Sequence, residues 1–309
     1  MVTDTILFGD CRETLKEFDG KARMCVTSPP YYGLRDYGGE GQQIGQEDTP
    51  EEFIQSLVEV FREVRDVLKD DGTLWVNIGD SYYNYRPGTG GLPKQTVSKT
   101  SQDLPTQCNR RANKLHGLKE KDMIGIPWML AFALRADGWY LRQDIIWHKP
   151  NPMPESVKDR CTKSHEYIFL LSKQRKYYYD NEAIKEPVKQ DWGQRDRTTG
   201  KYHNPGTGLQ PHSGLTKSYE RKNKRDVWTI TNKPYKGAHF AVFPPDLIEP
   251  CILAGSREGD IVLDPFMGSG TTAMVAKKHN RNYLGCELHE DYASLQTDRI
   301  DSVPQQLVL

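Results

Sequence analysis

The sequence predicts an α/β fold on a mostly parallel sheet. Three observations carry that expectation. Short apolar strands alternate with amphipathic helix patterns at both ends of the 309-residue chain. At residues 261–279 a buried strand runs through a glycine turn into a helix. Two strands end in loops of unusual composition, where parallel sheets place their ligands.

Thr5 to Phe8 reads as a short strand, Arg12 to Phe18 as one or two helical turns, and Arg23 to Thr27 as a buried strand ending in Ser-Pro-Pro. Pro50 to Leu68 repeats apolar residues at Phe53, Leu57, Val60, Phe61, Val64 and Leu68, the spacing of an amphipathic helix. Thr49 supplies its N-cap, Pro50 its first turn, and Glu51 and Glu52 the acids that suit its positive end. Asp71-Gly72 is expected to turn the chain into a central strand, Thr73 to Ile78. From Asn84 to Asp122 the pattern dissolves into Gly, Pro, Ser, Gln and basic residues, the composition of a long insertion. Helix resumes over Pro127 to Ala136 and strand over Tyr140 to Trp147. A hairpin is expected next, Glu166 to Leu171 with Tyr177 to Tyr179, turning at Lys173-Gln174-Arg175. Lys185 to Lys236 is again polar and basic. Order then returns: helix at Asp246 to Ala254, strand at Ile261 to Asp264, helix at Thr271 to His279, strand at Tyr283 to Glu287 and a last helix from Glu290. These shifts divide the chain into a first half-domain (1–83), a basic insertion (84–122), a continuation of the first half (123–184), a second polar and basic segment (185–236) and a second half-domain (237–309).

Lysine plus arginine and aspartate plus glutamate each number 42, so a uniformly basic histone-like protein is excluded. The charge is unevenly spread. The two polar segments hold 8 basic against 3 acidic residues and 12 against 5, and the remaining scaffold carries the compensating acidic excess. The hydrophobic fraction of 36% is low, as expected of a chain with long polar loops. None of the six cysteines forms a C-x-x-C pair, and Cys25, Cys251 and Cys286 lie in apolar surroundings, reading as reduced core residues. No metal site is expected. No signal peptide opens the sequence, and the longest apolar run, Ile126 to Leu134, is about half of a membrane span. The expectation is a cytoplasmic protein.

The loop Asp264-Pro-Phe266-Met-Gly268-Ser269-Gly270-Thr271-Thr272 follows a buried strand and opens a helix. Its glycines let the backbone approach a ligand, and the new helix offers free N–H groups. Glu287 ends the next strand, where an acid binds a ribose hydroxyl pair. The unit reads as a nucleoside site. Gly268-Ser-Gly270-Thr-Thr-Ala273 also fits the dinucleotide fingerprint G-x-G-x-x-A, which keeps an NAD-dependent oxidoreductase open; a Walker loop fails for want of a lysine. In the other loop, Thr27-Ser28-Pro29-Pro30-Tyr31, two prolines fix φ and remove two N–H donors. What remains is a rigid row of acceptors beside an aromatic ring, which suits a planar base bearing an amino group.

Taken together in this order, the two loops resemble the amino-group DNA methyltransferases that use S-adenosylmethionine, whose catalytic motif is [Asp/Asn/Ser]-Pro-Pro-[Tyr/Phe]. Catalytic loop first and cofactor loop last is similar to the permuted β group. The resemblance extends to Ile6-Leu-Phe-Gly-Asp10-Cys11, Trp75-Val-Asn-Ile-Gly-Asp80, Trp147-His-Lys-Pro-Asn-Pro-Met-Pro154 and His239-Phe-Ala-Val-Phe-Pro-Pro245. It implies a Rossmann-like methyltransferase fold with circularly permuted motif order and an inserted target-recognition segment. It implies S-adenosylmethionine as cofactor, with Asp10 and Cys11 at its adenine, Glu287 at its ribose, Phe266 and Gly268 along the loop and Phe240 to Pro244 at its methionine end.

The implied reaction moves the cofactor's methyl group to an exocyclic amino group of a base flipped out of double-stranded DNA. An exocyclic nitrogen has its lone pair delocalised into the ring; hydrogen bonds to Ser28 and the Pro29 carbonyl favour a tetrahedral nitrogen that attacks in line. Proximity and fixed dipoles then supply the acceleration. Ser28, Pro29, Pro30 and Tyr31 are the candidate catalytic residues, with Tyr31 stacking on the base and Trp147 and His148 candidates for its pocket. Cys25 is expected in the core, and Pro250-Cys251, the dipeptide of cytosine-C5 enzymes, is read as chance. The serine form of the motif is associated in the family with cytosine N4 and the aspartate form with adenine N6, so cytosine N4 is favoured and adenine N6 is the alternative. Methylation of RNA or of protein glutamine shares both loops, but the basic insertions favour DNA. A homodimer and a cognate restriction endonuclease are the partners the resemblance raises, in a prokaryotic or phage-borne setting.

Overall fold

The computed structural model describes residues 3–33, 35–36, 43–83, 106–107, 117–188, 220–232 and 243–303. Across its width the main sheet comprises β1 (Thr5–Phe8), β12 (Asn282–Glu287), β11 (Ile261–Asp264), β2 (Ala22–Thr27), β4 (Leu68–Ile78), β7 (His165–Ser172), β6 (Tyr140–His148) and β10 (Val227–Thr229). Seven of these eight strands run the same way, and β7 alone is reversed against both β4 and β6. Two short antiparallel ladders stand apart: β3 (Arg35–Asp36) with β5 (Thr106–Gln107), and β8 (Glu186–Pro187) with β9 (Arg221–Lys222). The mostly parallel α/β expectation holds.

Helices cover both faces. On one lie α1 (Cys11–Thr14), α2 (Pro50–Val67) and α3 (Ile126–Ala136); on the other lie α4 (Pro245–Gly255), α5 (Thr271–Lys278) and α6 (Ala293–Asp301). The apolar stripe read from the sequence fixes α2: Phe53, Leu57, Val60, Phe61 and Val64 are fully buried against the sheet. A reciprocal pair of bonds between Thr49 and Glu52 starts it. All six residues of β2 are buried, as a central parallel strand requires. Cys11, Cys25, Cys251 and Cys286 are buried and unpaired, and burial pushes the Cys251 thiol up. Pro250-Cys251 lies inside α4, with Cys251 fully enclosed. Among the described residues, no helix is long and apolar enough to cross a membrane.

Three sequence expectations are corrected. Tyr177 to Tyr179 is not a strand: β7 already has β4 on one side and β6 on the other, leaving no free edge. That segment instead folds back over the sheet, where Tyr178 N donates to Asp71 O and Tyr179 stacks on Trp75 at 6.2 Å. The central strand starts before Asp71-Gly72 and not after them: β4 pairs from Leu68, and the expected turn is a bulge within it, where two steps along β2 (Ala22 to Met24) face five along β4 (Leu68 to Thr73). A Cβ on Gly72 would sit 2.8 Å from Lys69 O, so the bulge requires glycine. Finally, Val227–Thr229 belongs to the scaffold: it closes the sheet beside β6, with Trp228 5% exposed.

Candidate active site

Strands β1, β12, β11 and β2 lie side by side and parallel, so their carboxyl ends share one edge. Asp10, Glu287, the Asp264–Thr272 loop and the Ser28–Tyr31 loop all sit along it. The helix after β11 packs on one face of the sheet and the helix after β2 on the other. Between β11 and β2 the winding therefore reverses, and the two loops flank that crevice, the place where open α/β sheets bind ligands.

The loop after β11 is braced from three sides. Asp264 is 1% exposed and accepts from Thr27 Oγ1 at 2.6 Å, Thr272 Oγ1 at 2.6 Å and Phe266 N at 3.0 Å. Burial still raises its carboxyl to about 6 against those three bonds. Gly268 and Gly270 adopt φ of +53° and +80°, which favour glycine. From α6, Gln296 Nε2 donates to Gly268 O at 2.7 Å and Arg299 Nη1 to Ser269 Oγ at 2.6 Å. The side chains of Asp264, Ser269 and Thr272 are thus committed to holding the loop. Along the loop Phe266 and Gly268 are half-buried, while Gly270 and the start of α5, Thr271 to Ala273, are buried.

Glu287 is 8% exposed and accepts from Gly268 N at 2.8 Å and His289 N at 3.1 Å. Burial raises its carboxyl to about 7, against the bonds from His289 and Gly268. Beside it, His289 Nε2 is buried and has no hydrogen-bond partner among the described residues. An acid and an orphaned ring nitrogen at the end of β12 fit a polyhydroxylated group such as a ribose. On the next strand, Gly9 N donates to Glu287 O at 2.8 Å, bringing Asp10 and Cys11 alongside. The Asp10 carboxylate caps α1 and pairs with Arg12, which hold it below the usual carboxylate range in spite of burial.

In the Ser28–Tyr31 loop, Pro29 is buried while Ser28, Pro30 and Tyr31 are half-buried. Thr27, at its root, is the residue bonded to Asp264, so one hydrogen bond ties the two loops together. At its other end Tyr31 Oη donates to Glu166 Oε2 at 2.7 Å. Glu166 starts β7 and also accepts from Asn77 Nδ2 at 3.3 Å and from Lys149 Nζ. A Cβ on Gly79 would lie 2.8 Å from the Tyr31 ring and 3.3 Å from Glu166, so glycine there lets both approach. Burial pushes the Tyr31 phenol well up, reinforced by the Glu166 charge and by their hydrogen bond, and keeps it protonated.

Of the residues read from the sequence, Asp10, Cys11, Ser28 to Tyr31, Asp264 to Thr272, Glu287 and Pro244, the buried N-cap of α4, are described; Phe240 lies outside the described residues. Trp147 is 4% exposed on the α4–α6 face, and its Nε1 donates to Ile230 O at 2.9 Å. His148 bonds Thr229 at 3.1 Å. Sequence reasoning missed Glu166, Lys149, Asn77, Gln296 and Arg299. Lys149 and Asn77 stand within the quoted motifs, but their partner is reached only through the antiparallel strand β7. Asp80, the end of the motif that holds Asn77, proves to cap α3, accepting from Gly125 N and Ile126 N at 3.0 and 3.1 Å.

Comparison with known proteins agrees with this geometry. The family described as "DNA methylase" (N6_N4_Mtase) matches residues 22–298. The Type II methyltransferase M.SmaI of Serratia marcescens is 50% identical over 96% of this chain and 90% of its own length. M.Cfr9I of Citrobacter freundii is 45% identical over 96% and 87%. Among solved structures, the putative DNA modification methylase TTHA0409 of Thermus thermophilus, complexed with S-adenosyl-L-methionine, aligns at 25% identity with a TM-score of 0.59, covering 97% of this chain and 95% of that one. The cytosine-N4-specific PvuII DNA methyltransferase shares the fold at 18% identity and a TM-score of 0.62, covering 97% and 86%. Two ligand-shaped loops at a sheet switch point, matched along nearly the whole chain, place this protein in the DNA methylase family, whose members use S-adenosylmethionine to methylate exocyclic amino groups of DNA bases.

Proposed function

We propose that the target is the N4 amino group of cytosine. The observation that carries this is the acceptor itself: the residue before Pro29-Pro30-Tyr31 is the neutral Ser28, the form of the motif associated in the family with cytosine N4. Adenine N6 is the second reading, since either amino group can donate to a serine oxygen.

S-adenosylmethionine, when bound, supplies a methyl group activated for transfer. The chain's own residues orient the reactants. Glu287 and His289 receive the ribose, the Gly268–Gly270 backbone comes close to the cofactor, and Asp10 and Cys11 meet its adenine. Ser28 Oγ and the Pro29 carbonyl accept the two N–H bonds of the target nitrogen, drawing its lone pair out of the ring. Orientation of the two reactants in one crevice supplies much of the rate. No covalent enzyme intermediate is required. Cys25 is fully buried, and burial pushes its thiol well up, a core residue rather than a nucleophile.

The basic segments at 84–122 and 185–236 are proposed to grip the duplex, with 185–236 reading the target. The Type II names of the relatives suggest a cognate restriction endonuclease of the same specificity. Nucleoside mass spectrometry after incubation of DNA with protein and labelled cofactor tests the central claim. N4-methylcytosine is expected; N6-methyladenine would replace it with the second reading.

A further inference from the structure

The connection from β6 to β7, residues 149–164, leaves the sheet at the edge that carries the Ser28–Tyr31 loop. Both its ends are tied beside Tyr31. Lys149 Nζ bonds Glu166, Glu166 accepts from Tyr31 Oη at 2.7 Å, and Lys149 N donates to Ser164 O at 2.7 Å. On this connection stands Met153, 82% exposed, the most exposed large apolar side chain among the described residues.

Single exposed apolar residues are common on protein surfaces. Met153 differs in how it is held. It lies between Pro152 and Pro154, which fix their own φ, and each proline keeps the residue before it extended. Asn151 is stitched to Asn232 by two bonds of 3.0 Å, from its Nδ2 to Asn232 O and from Asn232 N to its Oδ1. Beyond Pro154, Glu155 pairs with Arg160, whose guanidinium lies 3.9 Å from the centre of the Tyr82 ring. Asp159 pairs with Lys121 at 2.7 Å. An extended segment braced on both sides thus carries an apolar side chain into solvent, with little freedom left to lose on binding.

Reach and charge both suit a duplex. Met153 is four residues from Lys149, at most roughly 14 Å of extended chain, and a major groove is about 12 Å wide. Residues 149–163 hold four basic against two acidic side chains, a balance that favours phosphates. A base drawn into the crevice leaves a gap in the stack. Proteins that unstack DNA insert apolar side chains as wedges, methionine among them, and its unbranched chain adapts to an irregular space.

We propose that Met153 is a wedge that enters the base stack and fills the space vacated by the target base. It meets the neighbours of that base rather than the reacting atoms, so it is a positioning residue for methyl transfer. The proposal rests on the reading of the Ser28–Tyr31 loop as the seat of the target base.

The test uses a duplex carrying a site mapped by sequencing DNA that the wild-type protein has methylated. In one form the target base is paired; in the other it faces an abasic position, so its extraction costs less. Met153→Ala should slow single-turnover methyl transfer about tenfold to a hundredfold on the paired duplex and stay within about twofold of wild type on the abasic one. Met153→Leu, which keeps the apolar bulk, should recover most of the paired-duplex rate. The Kd for S-adenosylmethionine should be unchanged in both. Because the side chain is exposed, neither variant threatens the fold. Equal slowing on the two duplexes, or an unaltered rate for Met153→Ala on the paired one, would overturn the wedge. Ser28→Ala keeps the two ideas apart. It should be inactive on both duplexes, and full transfer by it would remove the seat on which the wedge depends.

Discussion

A carboxylate that already accepts three hydrogen bonds from its own protein has little left for a ligand, and Asp264 is in that position. Its work is to join the Asp264–Thr272 loop to the root of the Ser28–Tyr31 loop through Thr27. Thr27→Val keeps the shape but removes the donor, leaving a buried carboxylate oxygen short of a partner. It should lower unfolding free energy by about 1–3 kcal/mol in denaturant titrations; an unchanged midpoint would show that Asp264 finds another donor. Glu287 gives a pH prediction. Its folded carboxyl rises to about 7 from an ordinary value of 4.5, so the folded state holds that proton more tightly than the unfolded chain. The contribution to stability is complete at low pH and is lost as pH rises from about 4.5 to 7. Asp264, raised to about 6, acts in the same direction over a lower window. Thermal melts of the cofactor-free protein should fall across this range, and Glu287→Gln should flatten the upper part. Cofactor binding carries the opposite sign if the ionised acid receives the ribose: Kd should tighten as pH passes about 7.

At the scale of elements, α6 is a clamp. It reaches the Asp264–Thr272 loop by Gln296 to Gly268 O and Arg299 to Ser269, and Gly270 lies close enough that an added Cβ would meet Gln296 at 3.4 Å. A loop built on two glycines with positive φ has many other conformations, so its order depends on such contacts. Gln296→Ala with Arg299→Ala should weaken S-adenosylmethionine binding about threefold to thirtyfold by calorimetry, with the saturated turnover rate little changed. A fall in turnover at saturating cofactor would mean that α6 also acts on the transfer step. The opposite side of the site is clamped by β7, whose reversed direction brings Glu166 to the same edge as the carboxyl ends of its neighbours.

Over the whole molecule the balanced charge of 42 against 42 conceals two opposed regions. The basic excess of residues 84–122 and 185–236 is expected to fall on phosphates. DNA affinity should therefore decline steeply with salt, its logarithm falling by about 0.9 per phosphate contact for each logarithmic unit of salt. Neutralising three or four lysines or arginines within 189–217 should flatten that slope while leaving cofactor affinity alone. A slope unaffected by those changes would move the DNA contact elsewhere on the molecule. Val227–Thr229 should be spared in such variants, because it is a sheet strand with Trp228 in the core.

Much of this was legible in the residues themselves. The apolar stripe of α2, the buried run of β2, the glycine turn after β11 and the Ser28–Tyr31 loop each carry their signal within a few neighbouring positions, where periodicity and backbone chemistry act locally. Order along the chain also placed the Ser28–Tyr31 loop before the Asp264–Thr272 loop. The parts that were not legible depend on which strands become neighbours. Tyr177 to Tyr179 has a strand's composition but no free edge to join, and Val227–Thr229 has the polar flanks of a loop yet finds one beside β6. Glu166 looked like any acid at a strand end until the antiparallel β7 set it against Tyr31, Asn77 and Lys149. Asp264, Ser269 and Thr272 read as ligand contacts, and packing turned their side chains inward to brace the loop. The sequence by itself determined the kind of chemistry, because that rests on residue types at fixed local spacing. Only the tertiary structure decided which side chains face the reactants and which hold them in place, because a hydrogen bond between residues 135 or 237 positions apart exists only once the sheet is assembled.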